Sequence, residues 1–353
     1  MNDLWETLRR QDSPILLYGM GNGADKILGV CEKKGIPIAG VFASDGFARG
    51  NLFHGMRVTT YAQACETYGD FRVLVSFATS RDEVLENVCR IASERETYIP
   101  DIPVAGDRLF DGEFYENNRQ ALETARELFA DDLSKKVYDL VVESKLTGRL
   151  SPLLEGCTTQ DDDFRTLLHP EGYRVCGDFG AYTGDTAADL AARCPRLTTV
   201  LAVEPDPKTF LRLQKNVGGL PVTAVNAAAW DKNEVLSFTV GGNRGSGVGA
   251  AGKKQVSVRG IPGDGLFENL HADYLKFDVE GAEAKALSGL HATISRDKPE
   301  MLVSLYHRPE DLFEIPLYLH DRYPFYRFYL RRHKGIPAWD INLYALPVIE
   351  SVF

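Results

Sequence analysis

At 353 residues the chain is long for one hydrophobic core, and two domains are expected. Its 44% hydrophobic and 25% charged residues are those of an ordinary globular protein rather than a disordered or fibrous one. A net charge of −10 argues against generic polyanion binding, which depends on neutralising phosphates.

Six cysteines (Cys31, Cys65, Cys89, Cys157, Cys176, Cys194) form no close metal-type pair and read as buried free thiols of a reducing compartment. The opening Met-Asn-Asp-Leu-Trp-Glu lacks the basic segment and apolar run of a signal peptide. No apolar stretch approaches the ~20 residues that span a bilayer. The expected location is cytoplasmic, with no membrane span.

The first hundred residues alternate strands and helices. Strands are expected at 14–18, 38–43 and 71–77, with helices at 23–35, 61–68 and 81–92. Short apolar strands between helices imply a parallel sheet covered on both faces, a small doubly wound unit ending near Asp107. Gly19-Met-Gly-Asn-Gly-Ala24 follows the first strand and opens the first helix, in the G-x-G-x-x-A pattern of dinucleotide turns. Asp45 ends the second strand, twenty-one residues after Ala24. Gly19, Gly21, Ala24 and Asp45 thus form a candidate nucleotide site, with NAD, another nucleotide or nucleotide-sugar, or a purely structural role as its readings.

Two helices follow, 114–129 and 133–146, the second capped from Asp131-Asp-Leu-Ser, and 108–150 reads as a connector. From Arg174 the strand–helix rhythm resumes, with strands at 174–178, 199–203, 222–225, 234–240, 255–259, 273–278, 300–305, 325–330 and 341–347. The pair 234–240 and 255–259 reads as an inserted hairpin, and the last two strands as an antiparallel pair. The fold class is α/β: a small N-terminal Rossmann-like domain (1–107), the helical connector, and a second doubly wound domain (151–353).

The densest motif is Asp178-Phe-Gly-Ala-Tyr-Thr-Gly-Asp185, a strand ending in a glycine turn that opens a helix. Twenty residues after Gly184, Glu204 ends the next strand in Val203-Glu-Pro-Asp206. A glycine turn admits a bulky cofactor close to backbone N–H groups, and a following acid accepts from ribose hydroxyls. Asp178, Gly180, Tyr182, Gly184 and Glu204 therefore read as an adenosine-binding corner. Asn226 and Trp230, in Asn226-Ala-Ala-Ala-Trp-Asp231, follow the third strand, where Trp230 either stacks on adenine or packs in the core.

Asp278, in Leu275-Lys-Phe-Asp-Val-Glu-Gly-Ala-Glu283, and His307, in Tyr306-His-Arg-Pro-Glu-Asp311, end later strands at the same carboxyl edge. Ligands of open α/β sheets bind at that edge. His307 is the first candidate for a general base and Asp278 the second. Tyr306 and Arg308 are secondary candidates for substrate contact, and Arg308 with Arg331 for a local basic rim. Glu280 fits either a site acid or a helix cap. Two or three of these acids together also fit a divalent metal, but no histidine lies beside them in the sequence and no metal is assigned. Gly247-Val-Gly-Ala-Ala-Gly-Lys-Lys254 approximates a phosphate loop but lacks its Ser/Thr and following helix, so Gly241–Gly252 with Ser246 reads instead as a loop able to close over ligand or as a plain hairpin turn. The basic run Arg327–Lys334 reads as a strand with one solvated face, and no nucleic-acid partner is expected.

Taken in order, these motifs resemble the FkbM family of S-adenosylmethionine-dependent methyltransferases over roughly residues 130–350. The resemblance implies a seven-stranded class I methyltransferase sheet and O-methylation of a sugar, nucleotide-sugar or secondary metabolite. It implies that Asp178, Gly180 and Glu204 hold S-adenosylmethionine, leaving S-adenosylhomocysteine as product, and that Asp278 and His307 lie near the acceptor. Tyr182 departs from the glycine-richest loops of such enzymes. The partners expected are a small-molecule or glycan acceptor and, optionally, a second copy in a homodimer. The competing readings are an NAD-dependent oxidoreductase, for which no Tyr-x-x-x-Lys set accompanies the Gly19 turn, and a nucleotide-binding scaffold.

Overall fold

A computed structural model describes residues 3–239, 247–248 and 255–348. The N-terminal unit is a six-stranded sheet of β1 (Ile15–Tyr18), β2 (Gly40–Ala43), β3 (Leu52–Phe53), β4 (Met56–Thr60), β5 (Arg72–Val75) and β6 (Thr97–Tyr98), in the order β3-β4-β2-β1-β5-β6. All pairs are parallel except β3–β4. Strand side chains alternate between faces. Ile15 and Leu17 of β1 pack with Ala24 and Ile27 of helix Asn22–Lys34. Leu16 and Tyr18 pack opposite, with Leu85 and Val88 of helix Asp82–Glu94. The β3–β4 hairpin escapes the sequence reading; its His54-Gly55 turn has φ of 47° and 78°, the positive values that two-residue hairpins favour.

The connector is part of the core. Helix Gly112–Glu127 rests on helix Asp311–Arg322, with Phe114 and Phe313 ring centroids 6.2 Å apart. In helix Asp132–Thr147, the Ser134 hydroxyl accepts the Leu330 N–H at 2.9 Å. Lys145 of that helix forms a fully buried ion pair with Asp101, its Nζ 2.9 and 3.0 Å from the two carboxylate oxygens. One apolar cluster runs from Phe42 and Phe71 through Phe110 and Phe129 to Phe179 and Phe277, so the two sheets share a core.

The C-terminal unit opens with β7 (Val175–Phe179), β8 (Thr199–Val203) and β9 (Val222–Val225). A side sheet follows: β10 (Ala228–Ala229), β11 (Glu234–Thr239), β12 (Gly247–Val248) and β13 (Gln255–Ile261). Of Gly241–Gly252, only Gly247–Val248 lies within the described residues, paired antiparallel with β11. β14 (Tyr274–Phe277), β15 (Glu300–Ser304), β16 (Tyr326–Arg332) and β17 (Ile341–Pro347) complete the main sheet, ordered β16-β17-β15-β14-β7-β8-β9. β17 runs antiparallel to both neighbours and the other pairs are parallel. This is the expected seven-stranded sheet, and its strand order reverses at β7 and β14, where a crevice opens.

The basic run on β16 is not a solvated face at its end. Arg331 and Arg332 are 5% and 2% exposed. Arg331 pairs with Asp131 at 2.6 Å, and Arg332 donates to the carbonyls of Leu153, His333 and Gly335. Arg331 is therefore a buried strut between sheet and connector rather than part of a rim for acceptors.

Candidate active site

The Asp178 turn is shaped by a backbone contact. Gly180 has φ of 86°, and a Cβ there would stand 1.8 Å from the Asp278 carbonyl oxygen. Only glycine lets β7 and the segment after β14 approach this closely. The Gly180 and Ala181 N–H groups both donate to the Val203 carbonyl at 3.0 Å, folding the turn onto the end of β8. Gly184, also left-handed, caps helix Asp185–Arg193.

That fold brings Glu204 to the turn. Its carboxylate accepts the Tyr182 N–H at 3.0 Å on one oxygen and the Asp206 N–H at 2.8 Å on the other. Asn226 donates to the Glu204 and Pro205 carbonyls at 2.8 and 3.2 Å, so it props the acidic loop from behind. Burial raises the Glu204 carboxyl to about 7, against the two N–H donors that favour its charge. Asp178 is fully buried; burial raises it, opposed by the Lys276 ammonium 3.4 Å away. Its second oxygen has no partner.

Lys276 also lies 3.4 Å from Asp278. The Tyr306 hydroxyl donates to Asp278 at 3.0 Å, and His307 Nε2 stands 3.4 Å away. Burial would raise Asp278, but Lys276, His307 and Tyr306 outweigh it and hold the carboxyl below its ordinary range.

Gly180, Tyr182, Glu204, Lys276, Asp278 and Tyr306 line a cavity of about 410 Å³. Among the described residues Asp185, Glu204, Asp206, Asp278, Glu280 and Asp340 line it, against one basic side chain, Lys276. The cavity therefore suits a ligand carrying positive charge. Five described non-glycine residues have positive φ, and three of them, Tyr182 (46°), Glu280 (54°) and Asp340 (52°), line this cavity. Backbone strain of this kind gathers at functional sites.

Of the sequence candidates, Asp178, Gly184, Asn226, Trp230 and His307 lie outside the cavity lining. His307 is 0% exposed and lies outside the lining, behind Asp278. Its Nδ1 is 2.8 Å from Glu283, and Glu280 stands 3.8 Å from Nε2. Burial disfavours its charge, yet Glu283, Asp278 and Glu280 prevail and push the imidazole up to about 10. A histidine already protonated at neutral pH cannot be the base expected of it. Glu283, His307 and Asp311, all buried, offer ligand atoms within 4.8 Å of one another. Trp230 also lies outside the lining: its indole N–H donates to Glu234 and its ring carries the Lys285 ammonium at 5.6 Å. Phe238, Ala228 and Ala229 line that end instead.

The Gly19 turn is built differently. Gly19, at φ 114°, donates to the Phe42 carbonyl, and a Cβ there would meet the Ser76 hydroxyl oxygen at 2.8 Å. Ala24 is buried in the core, and Asp45 is exposed on the turn after β2. Of the four candidates, Gly21 lines a cavity shared with the other domain. Among the described residues no helix is long and apolar enough to cross a membrane.

The order of the seven-stranded sheet is that of the class I methyltransferase fold. Residues 178–328 match the model of the methyltransferase FkbM domain, so this part of the chain carries a methyltransferase domain. A crystal structure of methyltransferase FkbM from Methylobacillus flagellatus KT shares the fold, with TM-score 0.73, 20% identity, and 97% of this chain and 92% of that chain covered. Fibrillarin from Aeropyrum pernix, solved with natively bound S-adenosyl-L-methionine, overlaps only partly: TM-score 0.34, 16% identity, 51% of this chain and 70% of that one. No curated protein matches the chain.

Proposed function

We propose that this protein transfers a methyl group from S-adenosylmethionine to a hydroxyl of a small molecule such as a sugar, nucleotide-sugar or secondary metabolite. The observation that carries the reading is Glu204: two backbone N–H groups fix its carboxylate at the cavity, and each oxygen keeps a lone pair for a ribose hydroxyl. Gly180 at the cavity wall and the surplus of carboxylates fit the same group. When bound, S-adenosylmethionine supplies a methyl on a sulfonium, an electrophile needing no further activation.

The residues then have two tasks. The first is alignment, worth up to ~7–11 kcal/mol when the reacting atoms are held in line. The second concerns the hydroxyl proton, which becomes strongly acidic as the new C–O bond forms, so a weak base suffices. Asp278, ionised and facing the cavity, accepts that proton. Tyr306 and Lys276 fix its two oxygens. His307 is a positioning residue: its imidazolium stands behind Asp278 and keeps the carboxylate charged.

Calorimetric titration with S-adenosylhomocysteine tests the reading. The wild type binds, and Glu204→Ala lowers affinity at least ~100-fold, the worth of two charge-assisted hydrogen bonds. Binding unchanged by Glu204→Ala, or binding of NAD alone, overturns it.

A further inference from the structure

A second cavity, of about 530 Å³, lies between the two domains and abuts the first. Its N-terminal wall carries Gly21, Lys26 and Phe77, and its C-terminal wall Tyr182 and Trp339. Tyr182 lines both cavities, with its side chain exposed and its backbone held left-handed. Asp340 lines the first cavity while its neighbour Trp339 lines the second, and the Trp339 ring stacks on Tyr306 at 6.3 Å. The two spaces thus meet at Tyr182 and at the Tyr306–Asp278 pair.

The domains are fastened together at this boundary. The Ala105 N–H donates to the His307 carbonyl at 2.9 Å, and a Cβ on Gly281 would stand 2.5 Å from the Ala105 methyl. Lys26 brings the cavity a cation from the N-terminal domain. One of its N–H groups donates to the Pro103 carbonyl at 3.1 Å. Burial lowers its pKa, opposed by the Glu280 carboxylate of the catalytic crevice. An ammonium half-removed from water, with donors to spare, seeks an anionic partner.

We infer that the interdomain cavity is the acceptor site, taking a hydroxylated small molecule whose phosphate or other anionic end rests on Lys26 and whose ring lies against Phe77 and Trp339. Its hydroxyl passes Tyr182 to reach Asp278. This rests on the methyl-transfer reading and assigns the N-terminal glycine turn to acceptor recognition instead of a second cofactor. The acidic cavity then suits the cationic methyl donor, and the cavity holding Lys26 suits an anionic acceptor.

The test is calorimetric titration of the full chain, saturated with S-adenosylhomocysteine, using glucose, glucose 1-phosphate and UDP-glucose as probes. Both phosphorylated probes are expected to bind, UDP-glucose more tightly because its uracil reaches the aromatic wall, and glucose to bind at least ~10-fold more weakly. Lys26→Ala should weaken both phosphorylated probes about 10–100-fold, the range of a charge-assisted hydrogen bond, and Trp339→Ala should weaken UDP-glucose most. S-adenosylhomocysteine affinity should stay within about threefold in Lys26→Ala. Glucose binding as tightly as its phosphate, phosphorylated probes unaffected by Lys26→Ala, or no probe binding while S-adenosylhomocysteine does, each overturns the acceptor site and leaves the methyl-donor site standing. Failure of S-adenosylhomocysteine itself to bind sinks the methyl-transfer reading instead.

Discussion

The Asp178 and Gly19 turns share one local plan: a buried strand, a glycine turn and a helix, placed where a parallel sheet reverses its strand order. They differ in what neighbouring strands deliver. The Asp178 turn receives Glu204 from β8 and Lys276 with Asp278 from β14. Among the described residues the Gly19 turn receives no acid from a neighbouring strand end, because Asp45 stands exposed after β2, and its nearest polar side chain, Ser76, donates to the Tyr18 carbonyl. A glycine turn therefore marks where a ligand can approach, and the chemistry comes from the strand ends around it.

The largest expected effect separates binding from turnover at the Asp178 turn. Asp278→Asn should lower kcat about 10²–10⁴-fold, the span of general-base catalysis, while S-adenosylhomocysteine affinity changes little. A loss of affinity equal to the loss of rate would move Asp278 from the acceptor to the donor. Next comes the joint that sets the two turns facing each other. Asp101→Ala leaves Lys145 as a buried uncompensated charge and should cost about 3–5 kcal/mol in chemical denaturation. A cost under 1 kcal/mol would mean the domains are not locked together through this pair.

His307 gives a pH signature. Its native pKa of about 10 exceeds the ordinary 6.5, so its stabilisation is complete below pH 6.5 and fades as pH rises through 10. His307→Gln should flatten that alkaline decline, by up to about 5 kcal/mol. An unchanged pH profile would show that the imidazole is not held protonated. The smallest effect is at Tyr182. Tyr182→Gly relieves a left-handed backbone and should be neutral to about 1 kcal/mol stabilising before the lost side-chain contacts are counted. It should nevertheless raise KM for the acceptor, since the ring borders both cavities. A variant with native KM would show that Tyr182 does not separate the two sites.

Much of this was legible in the sequence, because buried parallel strands read as short apolar runs and their carboxyl ends locate a crevice. The strand ends at Glu204 and Asp278 are placed by that pattern alone. What it missed depends on tertiary surroundings. His307 does follow a strand, but the Glu283 and Asp311 carboxylates enclose it, and no local spacing shows a neighbour's charge. Trp230 follows its strand too, yet turns toward Lys285. Arg331 looks solvated until helix Asp132–Thr147 covers β16. Lys276 carried a usable signal: two residues before Asp278 it shares a strand face with it, and register sets it opposite Asp178. Lys26 carried none, since its importance arises only where two domains meet.

Hydrogen–deuterium exchange with and without S-adenosylhomocysteine tests the central claim most directly, because it reports on both turns in one experiment. The amides of Gly180–Asp185 and Glu204–Thr209 should gain protection, and those of Gly19–Lys26 should not. Protection confined to Gly19–Lys26 would place the methyl donor at the other turn and contradict the account.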